Sequence, residues 1–381
     1  MKPSYVPRAL DIARLAKRKS LFLFGPRQTG KTALVRHALP SAKVYDLLDA
    51  ETFLALSHRP TRLGEELEPD DRLVVLDEIQ KLPVLLDEVH RLIEQRNVRF
   101  VLTGSSARKL RRGGVNLLGG RAPSRTLHPF IYRELGDRFS LDRALDRGLV
   151  PSIYFSEDPR QDLAAYIGNY LKEEIAAEAL TRNVPAFSRF LEVAALCHGT
   201  MLNFSQVASD AQAPVSTVKE YFHILEDTLV ARFLPGWKRT RTRKAIGTAK
   251  FYFFDGGVVR HLQHRRGLAR RSPEFGEALE SYIFHELSTY LDYTEAMPLA
   301  YWRSTSNFEV DFVLADTTAI EVKAKDPVGE RDSRGLRALK EESLLKHYIT
   351  VSLETRSRTI DGIRILPWRD FLERLWDGEF I

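Results

Sequence analysis

The sequence predicts an α/β protein: a P-loop parallel-sheet domain, a helical middle containing a winged helix, and a second α/β domain after it. Three observations carry this. Residues 25–32 read G-P-R-Q-T-G-K-T between the apolar run 21–24 and a helical stretch over 32–39. The runs 43–47, 73–77, 100–103 and 124–127 have the continuous apolar character of strands buried on both faces of a parallel sheet. From residue 274 onward the pattern runs helix, three strands, helix, strand.

The loop comprises Gly25, Pro26, Arg27, Gln28, Thr29, Gly30, Lys31 and Thr32. Gly25 and Gly30 let the backbone turn its N–H groups inward around phosphate oxygens. The next helix adds the positive end of its dipole. Lys31 is placed to reach the β- and γ-phosphates, and Thr32 to put its hydroxyl on Mg²⁺. ATP and Mg²⁺ are therefore the expected cofactors.

Residues 73–78, L-V-V-L-D-E, give four apolar residues and then two acids, a Walker B pattern. Asp77 at the strand end is suited to hold Mg²⁺, directly or through water. Glu78 is suited to orient the attacking water as general base. One strand, near Val44, lies between the two motifs, so the acids fall on the third strand and a sensor on the fourth. That fourth strand ends L-T-G-S-S, with Thr103 and Ser105 as candidates for contact with the γ-phosphate or lytic water. Phosphoryl transfer gains from an arginine on the developing charge, which a neighbouring subunit often donates. Arg121 is the first candidate, followed by Arg125 and Arg182, and a homo-oligomer is the expected assembly.

Residues 139–200 read as mostly helical, with Leu163, Ile167, Tyr170, Leu171 and Ile175 at helical spacing. Helical stretches over 204–212 and 217–227 flank a turn at 213–216. Thr217 and Glu220 suggest a capping box for the second, and Val218, Phe222 and Leu225 give it one apolar face. With 229–234 alternating like a short strand pair that begins a wing, this is a winged-helix layout over 201–250. Its second helix either enters a major groove or only packs. Glu220, Glu226 and Asp227 repel phosphates, and Lys219 and His223 are its cations. Three basic runs are stronger candidates: Lys238, Arg239, Arg241, Arg243 and Lys244; Arg260, Arg265, Arg266, Arg270 and Arg271; and Arg108, Lys109, Arg111 and Arg112. Phosphate neutralisation by such runs gives salt-sensitive, sequence-blind affinity, which makes DNA the expected partner. A solvated loop is the alternative for each.

In the last domain, residues 251–381, strands are expected at 299–302, 309–314 and 319–323, between helices near 275–291 and 336–345, with a final strand at 347–351. Glu321 and Lys323, two apart on one strand, share a face, and Asp311 on the adjacent strand can join them. Two carboxylates can hold Mg²⁺ or Mn²⁺ while a lysine positions water against a phosphodiester. Glu280 on the preceding helix is a fourth candidate ligand. The alternatives are a cluster that binds DNA without cutting it and a set of structural ion pairs.

The 381 residues suggest two or three domains. No apolar run approaches a membrane span, the first residues lack a secretory apolar region, and the single cysteine, Cys197, excludes a disulfide framework or zinc cluster. A reducing cytoplasm is the expected setting. The net charge of +6 is mild, so clustering of charge matters more than its sum.

The motifs together resemble a group of prokaryotic AAA-type ATPases with a C-terminal domain long labelled as of unknown function. The resemblance rests on G-P-R-Q-T-G-K-T, L-V-V-L-D-E, L-T-G-S-S and G-R-A-P. It continues through Y-L-K-E-E-I at 170–175, K-F-Y-F-F-D-G-G at 250–257 and Trp302-Arg303, and so covers nearly the whole chain. It implies an ATP-binding domain over 1–138, a helical linker over 139–200, the winged helix, and a restriction-endonuclease-like end. The expectation is an ATP-hydrolysing protein acting on DNA, with metal-dependent nuclease activity in its last domain. The alternatives are an ATP-gated non-catalytic DNA-binding switch and a protein-remodelling ATPase.

Overall fold

The computed structural model describes residues 5–105, 108, 110, 118–174, 183–296 and 299–381, without the side chains of 171–174. It divides into two compact units. The first is Met1–Pro129 with Asp227–Val230, and the second is Phe130–Glu226 with Ala231–Ile381.

The first unit is built on strands β1 (Leu21–Phe24), β2 (Lys43–Asp46), β3 (Leu73–Asp77), β4 (Arg99–Gly104) and β5 (Ser124–Thr126). Every pairing is parallel and the order is β2-β3-β4-β1-β5. The expected strands are all present. β1 is buried along its whole length, and β3 and β4 are buried except at their first residues, which is why they read as unbroken apolar runs. The helix Leu85–Arg96 turns Leu85, Leu86, Val89 and Leu92 onto the sheet, each burial contributing about 2 kcal/mol. It stops at Asn97, whose left-handed backbone (φ 52°) ends the helical ladder. β4 lies between β1 and β3, so the end of β4 meets the ends of the strands that carry the loop and the acid pair.

The second unit begins with the helices Leu141–Arg147, Pro151–Tyr154 and Pro159–Ala165, a π-helical segment Tyr166–Glu174, and the helix Val184–Leu196. Leu163, Ile167 and Tyr170 are buried as their spacing predicts. Leu171 and Ile175 lie outside the described side chains. The helices Phe204–Asp210 and Val215–Asp227 follow, with a small antiparallel sheet ordered β6-β8-β7 from β6 (Thr200–Met201), β7 (Ala231–Leu234) and β8 (Lys250–Phe253).

Two expectations change here. The second helix starts at Val215, where the Pro214 carbonyl accepts from the Val218 N–H, so Thr217 sits inside the first turn and caps nothing. The run 229–234 supplies a single strand, β7, because its antiparallel partner comes from β8.

A six-stranded mixed sheet completes the unit. Its strands are β9 (Leu299–Arg303), β10 (Glu309–Leu314), β11 (Thr318–Lys323), β12 (His347–Ser352), β13 (Arg358–Ile360) and β14 (Ile363–Pro367), ordered β13-β14-β12-β11-β10-β9. β9, β10 and β11 pair antiparallel, and β11 pairs β12 in parallel across the helix Arg334–Lys340. The helix Pro273–Thr294 precedes them, opened by Ser272, whose side chain accepts from the Phe275 N–H. The expected order of helix, three strands, helix and strand is present. β13, β14 and the helix Trp368–Trp376 extend it.

The D-G-G motif ties the helix Gly256–Leu262 to the end of the helix Leu141–Arg147. Asp255 is buried and accepts from the N–H groups of Leu149 (2.6 Å), Gly257 (3.0 Å) and Val258 (3.2 Å). Backbone packs so tightly here that a Cβ on Gly257 would lie 1.9 Å from the Arg147 carbonyl oxygen.

Candidate functional site

In the first unit the loop closes over its own lysine. Gly30 stands at φ +93°, a conformation that L side chains resist. A Cβ on Gly25 would lie 2.4 Å from the Leu127 carbonyl oxygen. The Lys31 ammonium is buried and donates to the carbonyls of Gly25 (2.8 Å) and Pro26 (3.2 Å). Burial pulls its pKa down to about 8, against the raising effect of Glu78 and Asp77. The Thr29 hydroxyl donates to the Pro26 carbonyl at 2.9 Å, while Arg27 is half-buried and Gln28 exposed.

The acid pair meets the loop through hydroxyls. Thr32 Oγ1 donates to Asp77 Oδ2 at 2.9 Å. Thr103 Oγ1 donates to Asp77 Oδ1 and accepts from the Glu78 N–H at 3.1 Å. Thr32, Asp77, Glu78 and Thr103 are thus linked by hydrogen bonds, and Lys31, next to Thr32 in the chain, feels the charge of both acids. Ser105 is joined more loosely, its Oγ 3.5 Å from Gln80 Nε2. Arg121 pairs with Glu94 at 2.5 Å and remains partly exposed. Arg125 donates to the neighbouring Ser124 carbonyl. Arg182 lies outside the described residues.

Two contributors carry no motif. Gln80 donates from Nε2 to Glu78 Oε2 and so holds the expected base. Arg8 donates to the Thr29 carbonyl at 2.7 Å and the His128 carbonyl at 2.6 Å, clamping the loop against the end of β5. A polar residue two positions after the acid pair is a signal for the first. Nothing local marks the second, whose partners lie 21 and 120 residues away.

The second unit gathers the other predicted residues where β10 and β11 meet the helix Pro273–Thr294. Asp311 is buried, its Oδ2 accepting from the Val322 N–H at 2.7 Å. Lys323 pairs with Glu321 at 2.5 Å, and Glu321 Oε2 is buried without a hydrogen-bond partner. Burial and the Asp311 carboxylate push Glu321 well above the usual carboxylate range. The same two causes push Glu280 up to about 7. Burial depresses Lys323, but Glu321 and Asp311 outweigh it and raise its pKa.

Lys250 was missed from the sequence. It is buried at the start of β8, 2.6 Å from Glu309 and 3.7 Å from Glu280, and Tyr252 donates to Glu280 at 2.7 Å. Among the described residues no group of three His, Cys, Asp or Glu is arranged to hold a metal ion. Glu280, Asp311 and Glu321 sense one another's charge without forming such a trio.

The basic runs are less open than the sequence suggests. Arg243 pairs with Glu341, and Glu342 accepts from the N–H groups of Arg241, Thr242 and Arg243 at 2.8–3.0 Å. Arg239 pairs with Asp316, Arg265 with Glu277 and Arg270 with Asp142. Arg108 is buried, while Lys109, Arg111 and Arg112 lie outside the described residues. Exposed pairs of this kind contribute about 0.2–1 kcal/mol, so phosphates compete for them readily.

The loop, the acid pair and the parallel sheet define an AAA-type P-loop ATPase domain, and residues 17–136 match the AAA-domain family model. Residues 138–269 match a domain of unknown function, DUF8612, and residues 275–371 match another, DUF4143. No curated protein matches the chain. Among solved structures, the chain is similar to the Orc1 protein of Aeropyrum pernix in complex with DNA, at 16% identity over 69% of this chain and 95% of that one, with a TM-score of 0.27. A signal-transduction ATPase with a tetratricopeptide-repeat sensor from Pyrococcus horikoshii matches at 13% identity, over 76% and 47% of the two chains, with a TM-score of 0.22. Domain III of the Thermotoga maritima replication initiation protein DnaA matches at 14%, over 59% and 94%, with a TM-score of 0.23. Superpositions this loose say nothing about this chain's partners. Among the described residues no helix is long and apolar enough to cross a membrane.

Proposed function

We propose that this protein binds and hydrolyses ATP in its first unit and acts on DNA through its second, as a cytoplasmic homo-oligomer. The observation that carries the ATPase reading is the single constellation of Lys31, Thr32, Asp77, Thr103 and Glu78. At neutral pH Lys31 remains cationic, which suits it to the phosphates. Gln80 and the Thr103 hydroxyl hold Glu78 in place, so its carboxylate can take a proton from water without reorganising. Thr32 Oγ1 and Asp77 supply hard oxygen donors of the kind Mg²⁺ takes, and the ion would neutralise charge developing on the phosphates. Arg121, partly exposed, is available to serve a neighbouring subunit.

Lys31→Ala should abolish ATP hydrolysis. Glu78→Gln should keep nucleotide binding and lower turnover by about 10²–10⁴-fold, the usual worth of a general base. Normal turnover in both variants would refute the site.

For the second unit we favour a restriction-endonuclease-like module beside a winged helix. The strand order supports the former, and the helix pair with its antiparallel wing supports the latter. Asp311 and Glu321 are the expected metal ligands with Glu280 beside them, and the unpartnered Glu321 Oε2 is a donor atom free for an ion. A bound ion would activate water against a phosphodiester, with Lys323 positioning that water.

A specific observation favours the alternative, a non-cutting DNA-binding switch: Lys250 already supplies a cation to Glu280 and Glu309. DNA incubated with Mg²⁺ or Mn²⁺ separates the two. Cleavage by wild type that is lost in Asp311→Ala and Lys323→Ala supports the nuclease, and equal survival of DNA in all three supports the switch.

A further inference from the structure

The second unit contains two adjoining cavities of opposite character. The larger, about 660 Å³, is lined by Arg147, Arg160, Arg260, Arg265 and Arg266 against only Asp146 and Asp158, and with Arg265 paired to Glu277 a surplus of two positive charges remains. Its size lies within the range of ligand pockets, about 300–1,000 Å³. The smaller, about 310 Å³, is lined by Glu280, Glu309, Lys250 and Tyr252, which belong to the carboxylate cluster. Arg260 and Arg265 line both, so the basic cavity opens beside the acidic one.

Arg260 fixes the shape of this junction. It is 5% exposed, donates to the Gly267 carbonyl at 2.5 Å and to Asp146 at 3.3 Å, and leaves its Nε buried without a partner. The loop it braces carries His264 at φ +56° and Gly267 at φ +66°. That loop holds Arg265 and Arg266 on the cavity wall.

We propose that the basic cavity seats the phosphodiester backbone of a nucleic-acid strand and leads it toward Glu280 and Lys250. This rests on the DNA-acting reading above and adds the path the strand takes. The chemistry favours phosphate over bases. Guanidinium groups grip phosphate oxygens in pairs, and among the described residues the lining carries no aromatic ring besides the imidazoles of His261 and His264. Recognition would therefore be blind to sequence and strongly salt-dependent. The basic run 238–244, by contrast, is pinned through Arg243 and its backbone to Glu341 and Glu342.

The test uses the full chain and a fluorescein-labelled single-stranded oligonucleotide, with anisotropy read between 50 and 200 mM salt. Arg160 and Arg266 are both exposed, so the double variant R160A/R266A should fold. It should bind at least about tenfold more weakly at low salt, with the slope of log affinity against log salt reduced by about 1.4, two phosphate contacts at about 0.7 each. The double variant K238A/R241A removes the same charge elsewhere and should lose less.

Equal losses in the two variants would reduce the effect to net charge and overturn the proposal. So would unchanged binding in R160A/R266A. Oligonucleotide that fails to bind even wild type would remove the DNA-acting reading itself. In that case, inorganic pyrophosphate that raises the thermal midpoint of wild type and not of R160A/R266A would reassign the cavity to a small anion.

Discussion

Lys31 and Lys250 show two ways to bury an ammonium. Lys31 is met by carbonyl oxygens, which satisfy its protons without balancing its charge, and burial pulls it down to about 8. Lys250 is met by Glu309 and Glu280, and their charge outweighs burial and raises it. Glu286 poses the reverse case. It is fully buried and accepts from the Tyr132 N–H (2.6 Å), the Tyr282 hydroxyl (2.9 Å) and Trp376 Nε1 (2.9 Å), yet burial pushes it up to about 7 from 4.5. The folded chain then holds a proton that the unfolded chain has released. The stability this contributes is complete below pH 4.5 and is lost as pH rises through 7. His198 has the opposite sign: burial depresses it to about 3 from 6.5, so its contribution is lost only as pH falls below 6.5. Between pH 6.5 and 8, therefore, Glu286 should remove about 1 kcal/mol from the second unit. Denaturant midpoints across that window should fall in wild type and fall less in Glu286→Gln, with Glu280 and Glu321, whose pKa values are also raised, contributing to the remaining slope. Equal slopes would mean that Glu286 does not change its protonation in the folded chain across that window, which would overturn this account. The sequence announces Lys31, Asp77, Glu78 and Thr103 because each sits at a fixed offset in a local motif. It hides Lys250, Glu286 and Arg8 because, apart from Tyr282, the partners named for them lie 21 to 154 residues away, and no period or spacing records that.

At the scale of elements, β1, β3 and β4 of the first sheet were legible because burial on both faces writes an unbroken apolar run, while the edge strands β2 and β5 are partly exposed and mixed in composition. The start of the helix Val215–Asp227 was not, because Thr217 and Glu220 copy a cap while Pro214 already opens the ladder three residues earlier. The basic run 238–244 reads as a solvated loop, yet Glu342 gathers three of its backbone N–H groups, and that carboxylate lies about a hundred residues further on. D-G-G at 255–257 is the instructive case. It looks like a site motif, and the structure makes it a joint: Asp255 caps the helix Gly256–Leu262 and binds the Leu149 N–H, while Gly257 allows the backbones to touch. Gly257→Ala must push its Cβ away from the Arg147 carbonyl, a fixed backbone atom. Shifting that helix strains the buried Asp255 bonds as well. The expected cost is about 3 kcal/mol or more, in the range of overpacked cores and broken buried hydrogen bonds. Circular dichroism against urea should show the second unit's midpoint falling while nucleotide binding by the first persists. A loss within 0.5 kcal/mol would mean that the joint is softer than its geometry implies.

Across the whole molecule, two compact units with separate cores should behave as two cooperative blocks. The nucleotide constellation lies wholly within the first, since residues 25–32, 77–80 and 103–105 belong to Met1–Pro129. A ligand that binds only the folded form stabilises it by RT ln(1 + [L]/Kd), about 2.7 kcal/mol at a hundredfold excess over Kd. ATP with Mg²⁺ should therefore raise one calorimetric transition and leave the other where it stands. Lys31→Ala should erase the shift without moving either baseline midpoint far, because truncating Lys31 removes a buried charge that is costly to keep, along with its bonds to the loop carbonyls. The second unit supplies the internal control. R160A/R266A should leave the ATP-induced shift intact, since neither residue lies in the first unit. If ATP instead raised both transitions equally in wild type, the units would unfold as one block. Nucleotide state would then reach the carboxylate cluster through shared cooperativity, and the separation of roles between the units would fail.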